Sequence, residues 1–190
     1  MKNSLFSHFI RNPRQIGACC PSGIALCREI VDNMKLNEAD LVVELGPGTG
    51  AITKYLVEKM VDSAKLLCVE LNRDFVDQLQ LQYPKSTFIC DSASNLPYIL
   101  KAKNLPSADI VLSGLPWAIF SENLQTEILT AVYDSLKVGG QFATFAYVQG
   151  LLMPAGIRFR KKLDLQFSKV ETSRIIWKNF PPAVVYRCQK

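Results

Sequence analysis

LVVELGPGTG, residues 41–50, is the stretch on which the reading of this chain turns. Its apolar run, 41–45, stops at three glycines on alternate positions, Gly46, Gly48 and Gly50. A run this short, ended by glycine, predicts a buried strand. Residues 50–61 then predict a helix, with Ile52, Leu56 and Met60 recurring every four positions. A strand that leaves through Gly-x-Gly-x-Gly into a helix is a ligand turn. Glycine reaches positive φ without steric penalty, and a backbone without Cβ lets a ligand lie against it. The helix N-terminus adds N–H groups and partial positive charge, which suit a carboxylate or phosphate.

The same alternation continues outward. KLLCVE (65–70), STFIC (86–90) and ADIVLSG (108–114) predict three more strands. RDFVDQLQLQY (73–83) predicts a helix with Phe75, Val76, Leu79 and Tyr83 on one face. Residues 121–137 predict another, capped by Ser121 or Asn123 and ended by Gly139-Gly140, before a fifth strand, QFATFAYV (141–148). Strands alternating with helices imply an α/β, Rossmann-like fold with helices on both faces of a mostly parallel sheet, here expected to have seven strands. After residue 150 comes a basic segment, RFRKK (158–162). Two β-rich runs follow, VETSRIIW and AVVYRC, joined by KNFPP and expected as an antiparallel edge hairpin. Prolines confine that joint to a turn.

Ahead of the first strand, PSGIALCREIVDNM (21–34) predicts a helix capped by Ser22, with Ile24, Cys27, Ile30, Val31 and Met34 facing inward. Before it, Leu5, Phe6, Phe9 and Ile10 form one apolar stripe, with Arg11 and Arg14 largely off it. The expected organisation is one domain over 1–190: N-terminal helices to residue 35, a ligand-binding core over 36–150, and a basic segment with a hairpin over 151–190.

Composition narrows the classes. The six cysteines include no C-x-x-C pair and His8 is the sole histidine, so a metal site is not expected. No apolar run approaches the ~20 residues that span a bilayer, and the N-terminus lacks a signal-peptide pattern. A reducing, cytoplasmic setting is therefore expected. The net charge of +5 is uneven. Residues 151–190 carry nine Lys/Arg against two Asp/Glu, while 36–150 carry eight against thirteen. Such basic ends suit an anionic surface, nucleic acid or acidic lipid.

The ligand of the loop follows from its acids. A dinucleotide turn reads G-x-G-x-x-G, whereas here the third glycine comes one residue early, behind Glu44. A carboxylate there repels a pyrophosphate and suits an ammonium. S-adenosylmethionine carries an ammonium and a carboxylate at one end and a sulfonium cation. Glu70 ends the next strand, placed to accept ribose hydroxyls, and Asp91 ends the third, placed to accept an adenine N–H. With these acids at successive strand ends, the chain resembles the class I S-adenosylmethionine-dependent methyltransferases. The resemblance implies cofactor contacts at Glu44, Gly46, Pro47, Gly48, Thr49, Gly50, Glu70, Leu71, Asp91, Ser92 and Ser113.

The fourth strand closes in SGLPW, Ser113–Trp117. Base amino-methyltransferases, including the rRNA adenine dimethylases, place Asn or Asp where this chain has Gly114. Main-chain carbonyls of Gly114 and Leu115 are the remaining acceptors for a small primary amine, and Trp117 is expected to face an alkylammonium. FIRNPRQIGACCPSGIAL, ELGPGTGAIT, SGLPW, GGQFATFAY and WKNFPPAVVYRC together look like the bacterial phospholipid N-methyltransferases. That resemblance implies methyl transfer to phosphatidylethanolamine, towards phosphatidylcholine, by an enzyme peripheral on the inner face of the cytoplasmic membrane. Gly114, Leu115, Trp117 and Tyr147 would serve the amine. Leu5, Phe6, Phe9, Ile10, Arg11, Arg14, Arg158 and Arg187 would meet lipid. No nucleic acid and no obligate protein partner are expected. Two other readings stay open. An RNA adenine N6-methyltransferase is opposed by Gly114 and by the lack of room for the helical domain that rRNA dimethylases add. A cofactor-holding membrane or regulatory protein without turnover is the other.

Overall fold

The computed structural model describes residues 23–190. Seven strands form one sheet: β1 (Leu41–Leu45), β2 (Lys65–Glu70), β3 (Thr87–Cys90), β4 (Ala108–Ser113), β5 (Leu136–Tyr147), β6 (Lys169–Thr172) and β7 (Ala183–Gln189). Their spatial order is β3-β2-β1-β4-β5-β7-β6. The first five run parallel, and β7 enters antiparallel between β5 and the edge strand β6. The order reverses between β1 and β4, so the carboxyl ends of those strands flank the crevice in which such sheets bind ligands.

The helices are α1 (Ile24–Asp32), α2 (Ala51–Lys59), α3 (Arg73–Gln82), α4 (Leu96–Ala102), α5 (Glu122–Ser135), α6 (Val148–Leu151) and α7 (Pro154–Gln166). Strand alternation sorts them into two layers. Leu41, Val43 and Leu45 point to the face packed by α4, α5 and α7 through Leu96, Ile128, Leu129, Phe159 and Leu163. Val42 and its in-register neighbours Leu66 and Ile110 point to the other face, packed by α1, α2 and α3 through Ile30, Leu56 and Leu79. β1 is buried over its whole length, which is why it reads as an uninterrupted apolar run.

The expected seven-stranded, mostly parallel sheet with an antiparallel edge hairpin is present, and β1–β4 and α2–α3 fall within about two residues of their predicted bounds. Local features differ from those expectations or were absent from them. Gly139-Gly140 does not precede the fifth strand. β5 starts at Leu136, directly after α5, and the pair forms an irregularity where the β4 register jumps from Leu136 to Gln141. Gly139 sits at φ +76°, a conformation that a bulge requires of glycine. α7 occupies the stretch read only as basic. It shows the core no more than Phe159 and Leu163, so its apolar period is faint. α4 begins Leu-Pro, with proline in its first turn, where the missing N–H costs nothing. Finally, α1 is capped by Gly23, whose N–H goes to Asn179 Oδ1 at 2.8 Å. Ser22 lies outside the described residues, and Ile24 faces solvent at 63% exposure.

Candidate active site

The glycine loop is bent as its composition predicts: Gly46, Gly48 and Gly50 stand at φ +69°, +55° and +83°. Those φ values are the demand for glycine, and at two of the three a Cβ would in addition crowd the end of a leucine side chain. A Cβ on Gly46 would lie 2.7 Å from Leu115 Cδ2, and one on Gly50 2.6 Å from Leu79 Cδ2. Gly48 differs, since a Cβ there meets nothing within 4 Å. Its bare edge therefore faces open space, as a ligand seat requires. Of the other loop residues expected at the cofactor, Pro47 is buried and Thr49 is exposed.

Glu70 ends β2 and ties the loop down. Its Oε2 accepts the Gly48 N–H at 3.1 Å, and its Oε1 accepts from Leu71 N at 2.8 Å and Asn72 N at 3.0 Å. Asp91, at the end of β3, accepts from Ser92 N at 2.6 Å and Asn95 Nδ2 at 2.8 Å, both on Oδ1. Glu70, Leu71, Asp91, Ser92, Gly46 and Leu115 line one cleft, whose floor is Val69, Ala93, Phe120 and Ile128. These four apolar residues were not singled out in the sequence, where an apolar cleft floor looks like any other core position. The enclosed part of the cleft is narrow, about 30 Å³. A larger hollow of about 610 Å³, bounded by Ser94, Asn123, Thr126, Glu127 and Thr130, is open and touches none of the glycines. The cleft, with its acids and bent loop, is the better site.

Three expected roles change on inspection. Glu44 does not line the cleft. It points to the α2 layer, is 1% exposed, and accepts from Thr53 Oγ1 at 2.7 Å and Cys68 Sγ at 3.7 Å. Burial, outweighing those bonds, pushes its carboxyl up to about 7. Its role is to pin the first turn of α2 beneath the loop. Burial likewise raises the nearby Cys27 thiol to about 11 and the Cys68 thiol well above its ordinary value, so neither is a nucleophile.

Ser113 is fully buried, and its Oγ accepts from Trp117 Nε1 at 3.2 Å and Leu115 N at 3.3 Å. Trp117 is 2% exposed, stacked on Phe159 with ring centroids 4.3 Å apart, and its Nε1 also donates to Thr144 Oγ1 at 3.0 Å. The indole is thus a core side chain that holds the SGLPW turn from below, with no free face for an ammonium. Gly114 is glycine for a steric reason: a Cβ there would lie 2.7 Å from Gly46 O. The two strand-end turns touch. Tyr147 ends β5 half-buried, edge-on to Phe145 at 5.5 Å.

The residues expected at lipid divide. Leu5, Phe6, Phe9, Ile10, Arg11 and Arg14 lie outside the described residues. Arg158 is exposed and 3.9 Å from Glu122. Arg187 is not a surface anchor: its Nη2 donates to Glu29 Oε1 at 2.6 Å and Glu29 O at 2.7 Å, clamping β7 to α1. Among the described residues there is no cluster of metal-ligand type and no helix long and apolar enough to cross a membrane.

A seven-stranded sheet of this order, with a glycine turn after β1 and acids closing β2 and β3, defines a Rossmann-like methyltransferase. The chain belongs to the methyltransferase domain family, whose model matches residues 42–140. It is 28% identical over 184 residues to an ornithine lipid N-methyltransferase of Singulisphaera acidiphila, covering 95% of this chain and 92% of that protein. A ribosomal RNA small subunit methyltransferase A of Maridesulfovibrio salexigens is 41% identical over 61 residues, 32% of this chain and 22% of that one. In structure, a TehB-like SAM-dependent methyltransferase from Corynebacterium glutamicum superposes with a TM-score of 0.65 at 15% identity, over 98% of this chain and 96% of that chain. S-adenosylmethionine is the cofactor of this family. The residues at hand fit it: bent bare backbone at Gly48, the Glu70 carboxylate for ribose hydroxyls, and Asp91 Oδ2 for an exocyclic N–H.

Proposed function

We propose that this chain transfers methyl groups from S-adenosylmethionine to the primary amine of a membrane lipid. The observation that carries the reading is the reach of the lipid methyltransferase likeness, which takes in 95% of this chain and 92% of that protein. The ribosomal RNA methyltransferase likenesses cover 61 to 121 residues, at most 64% of this chain. Phosphatidylethanolamine is the substrate our reading of the motifs favours. The amine of an ornithine-containing lipid is the second, favoured by the relative's activity. Gly114 supports an amine held by main chain, because the space that a side-chain amide or carboxylate would need there is filled by Gly46 O.

When bound, the cofactor supplies a methyl already activated by its sulfonium. The protein's share is alignment and exclusion of water. The loop at Gly48 and the Glu70 carboxylate orient the donor above the ends of β1 and β2. The carbonyls of Gly114 and Leu115 take the amine N–H groups, and Leu115 packs its side chain against Gly46 beside them. Tyr147, at the end of β5, orients the amine or relays its proton, the phenol passing its own proton to solvent as it takes the amine's. The N-terminal stripe (Leu5, Phe6, Phe9, Ile10) with Arg11, Arg14 and Arg158 brings the enzyme to an anionic bilayer.

The test is label transfer. Protein and methyl-labelled S-adenosylmethionine are incubated with vesicles of phosphatidylethanolamine, of an ornithine lipid, of phosphatidylglycerol alone, and with RNA. Label in either amine lipid and not in phosphatidylglycerol supports the proposal, and the stronger lipid names the substrate. Label in RNA alone refutes it.

A further inference from the structure

The segment between β6 and β7 is built around one side chain. Asn179 is 2% exposed; its Oδ1 accepts the Gly23 N–H at 2.8 Å and its Nδ2 donates to Pro181 O at 2.6 Å. Its own N–H goes to Ile176 O at 3.2 Å, and Ile176 in turn bridges Ala183. The loop is therefore tied internally, to α1, and to the end of β5, where Val148 N donates to Pro182 O at 2.9 Å. Such a frame has a fixed shape, yet it turns two large aromatics outward, Trp177 at 72% and Phe180 at 83% exposure. Exposing both in water forgoes the burial that large aromatic side chains ordinarily gain on folding, in a loop with ample anchors to turn them in.

We infer that this loop is a membrane-docking finger, in which Trp177 and Phe180 enter the interfacial layer of an anionic bilayer. The charge pattern chooses the partner. Arg174 and Lys178 are exposed beside the aromatics, and residues 172–190 contain no Asp or Glu. Aromatic rings that sit at headgroup depth, with cations above them for phosphates, are what such an interface recruits. The place agrees as well. The finger joins the carboxyl end of β5, where Tyr147 closes the strand, so docking there sets the acceptor side of the site against the lipid. This rests on the lipid reading of function for its purpose, though not for its physics.

The two tryptophans make the test clean. Trp117 is buried and Trp177 exposed, and the chain has no other. Emission that changes on adding vesicles therefore reports Trp177. Phosphatidylglycerol-containing vesicles should shift the emission to the blue, acyl-brominated lipids should quench it, and Trp177→Ala should abolish both changes. Phe180→Ala with Lys178→Glu should weaken vesicle affinity roughly tenfold or more while leaving calorimetric binding of S-adenosylmethionine unchanged. Methylation of detergent-dispersed lipid with no response of Trp177 to vesicles would overturn the finger and leave the function standing. A vesicle response without lipid methylation would do the reverse. A blue shift produced by protein concentration alone would assign the loop to a second copy of this chain, and quenching by single-stranded RNA in place of vesicles to nucleic acid; either refutes the inference.

Discussion

Replacing Trp117 with phenylalanine separates a structural indole from one that binds substrate. The indole stacks on Phe159 and meets Phe120 and Phe142 edge-on at 5.9 and 6.3 Å. Phenylalanine keeps part of that stack and loses both Nε1 bonds. Neither former acceptor is orphaned, because Thr144 Oγ1 still donates to Ser113 O and Ser113 Oγ still accepts from Leu115 N. Two modest hydrogen bonds and the volume difference between indole and phenyl together give a loss of about 2–3 kcal/mol. With a urea slope near 2 kcal/mol/M, the midpoint should fall by about 1 M. Far-UV circular dichroism reads the midpoint without relying on tryptophan emission. On the folded variant, KM for the amine lipid should stay within about twofold, since a buried ring gives the amine no uniform binding to lose. A midpoint unchanged within error, with KM raised tenfold, would show that the ring meets the amine, and the placement of Trp117 in the core would be wrong.

Other outcomes follow from the same structure. Glu44 takes up a proton more tightly in the folded state, at about 7 against an ordinary 4.5, so its contribution to stability is complete below about pH 4.5 and lost as pH rises through 7. Linkage makes this about 3 kcal/mol, and urea melts of Glu44→Gln should lack that decline and be more stable than wild type at pH 8. Gly48→Ala should cost about 1 kcal/mol of stability, for positive φ alone, yet weaken S-adenosylmethionine more than tenfold by calorimetry, because its methyl would stand in the ligand's space; normal binding would move the donor away from this loop. Arg187→Ala should cost about 2 kcal/mol by freeing α1 from β7, while vesicle affinity stays the same; a selective loss of vesicle binding would restore Arg187 as a lipid contact. Asp109 sits 8% exposed, and although burial opposes ionisation, Lys137 and the N–H groups of Leu41 and Asp40 outweigh it and hold its carboxyl below the usual range. Its stabilisation is thus present above about pH 4 and lost as pH falls through the lowered value, so Asp109→Asn should flatten the acid limb of the stability profile.

What could be read from sequence was whatever depends on neighbours in the chain. β1 and its turn announce themselves because an all-buried parallel strand needs consecutive apolar residues and a positive-φ turn needs glycine. The strand-end acids Glu70 and Asp91 are placed by the same rhythm. What escaped depends on contacts across the fold. Nothing near Trp117 in sequence says that Phe159 will cover its ring. Nothing near Arg187 points to Glu29, 158 residues away. Glu44 looks like a ligand contact by position, yet in a strand its side chain must take one face or the other, and Leu45 already claims the face of the cleft's apolar floor. α7 went unread because a helix covering two buried anchors, Phe159 and Leu163, leaves a mostly polar record.

The contact between Gly114 and Gly46 O means that the glycine turn and the SGLPW turn, to which the proposed function gives donor and acceptor, share one wall. Reshaping either side to accept a bulkier nucleophile would push on the other, so a single exchange at position 114 would trade affinity for the methyl source against breadth of acceptor. Broadening this catalyst by design would begin with paired changes on both turns, selected together.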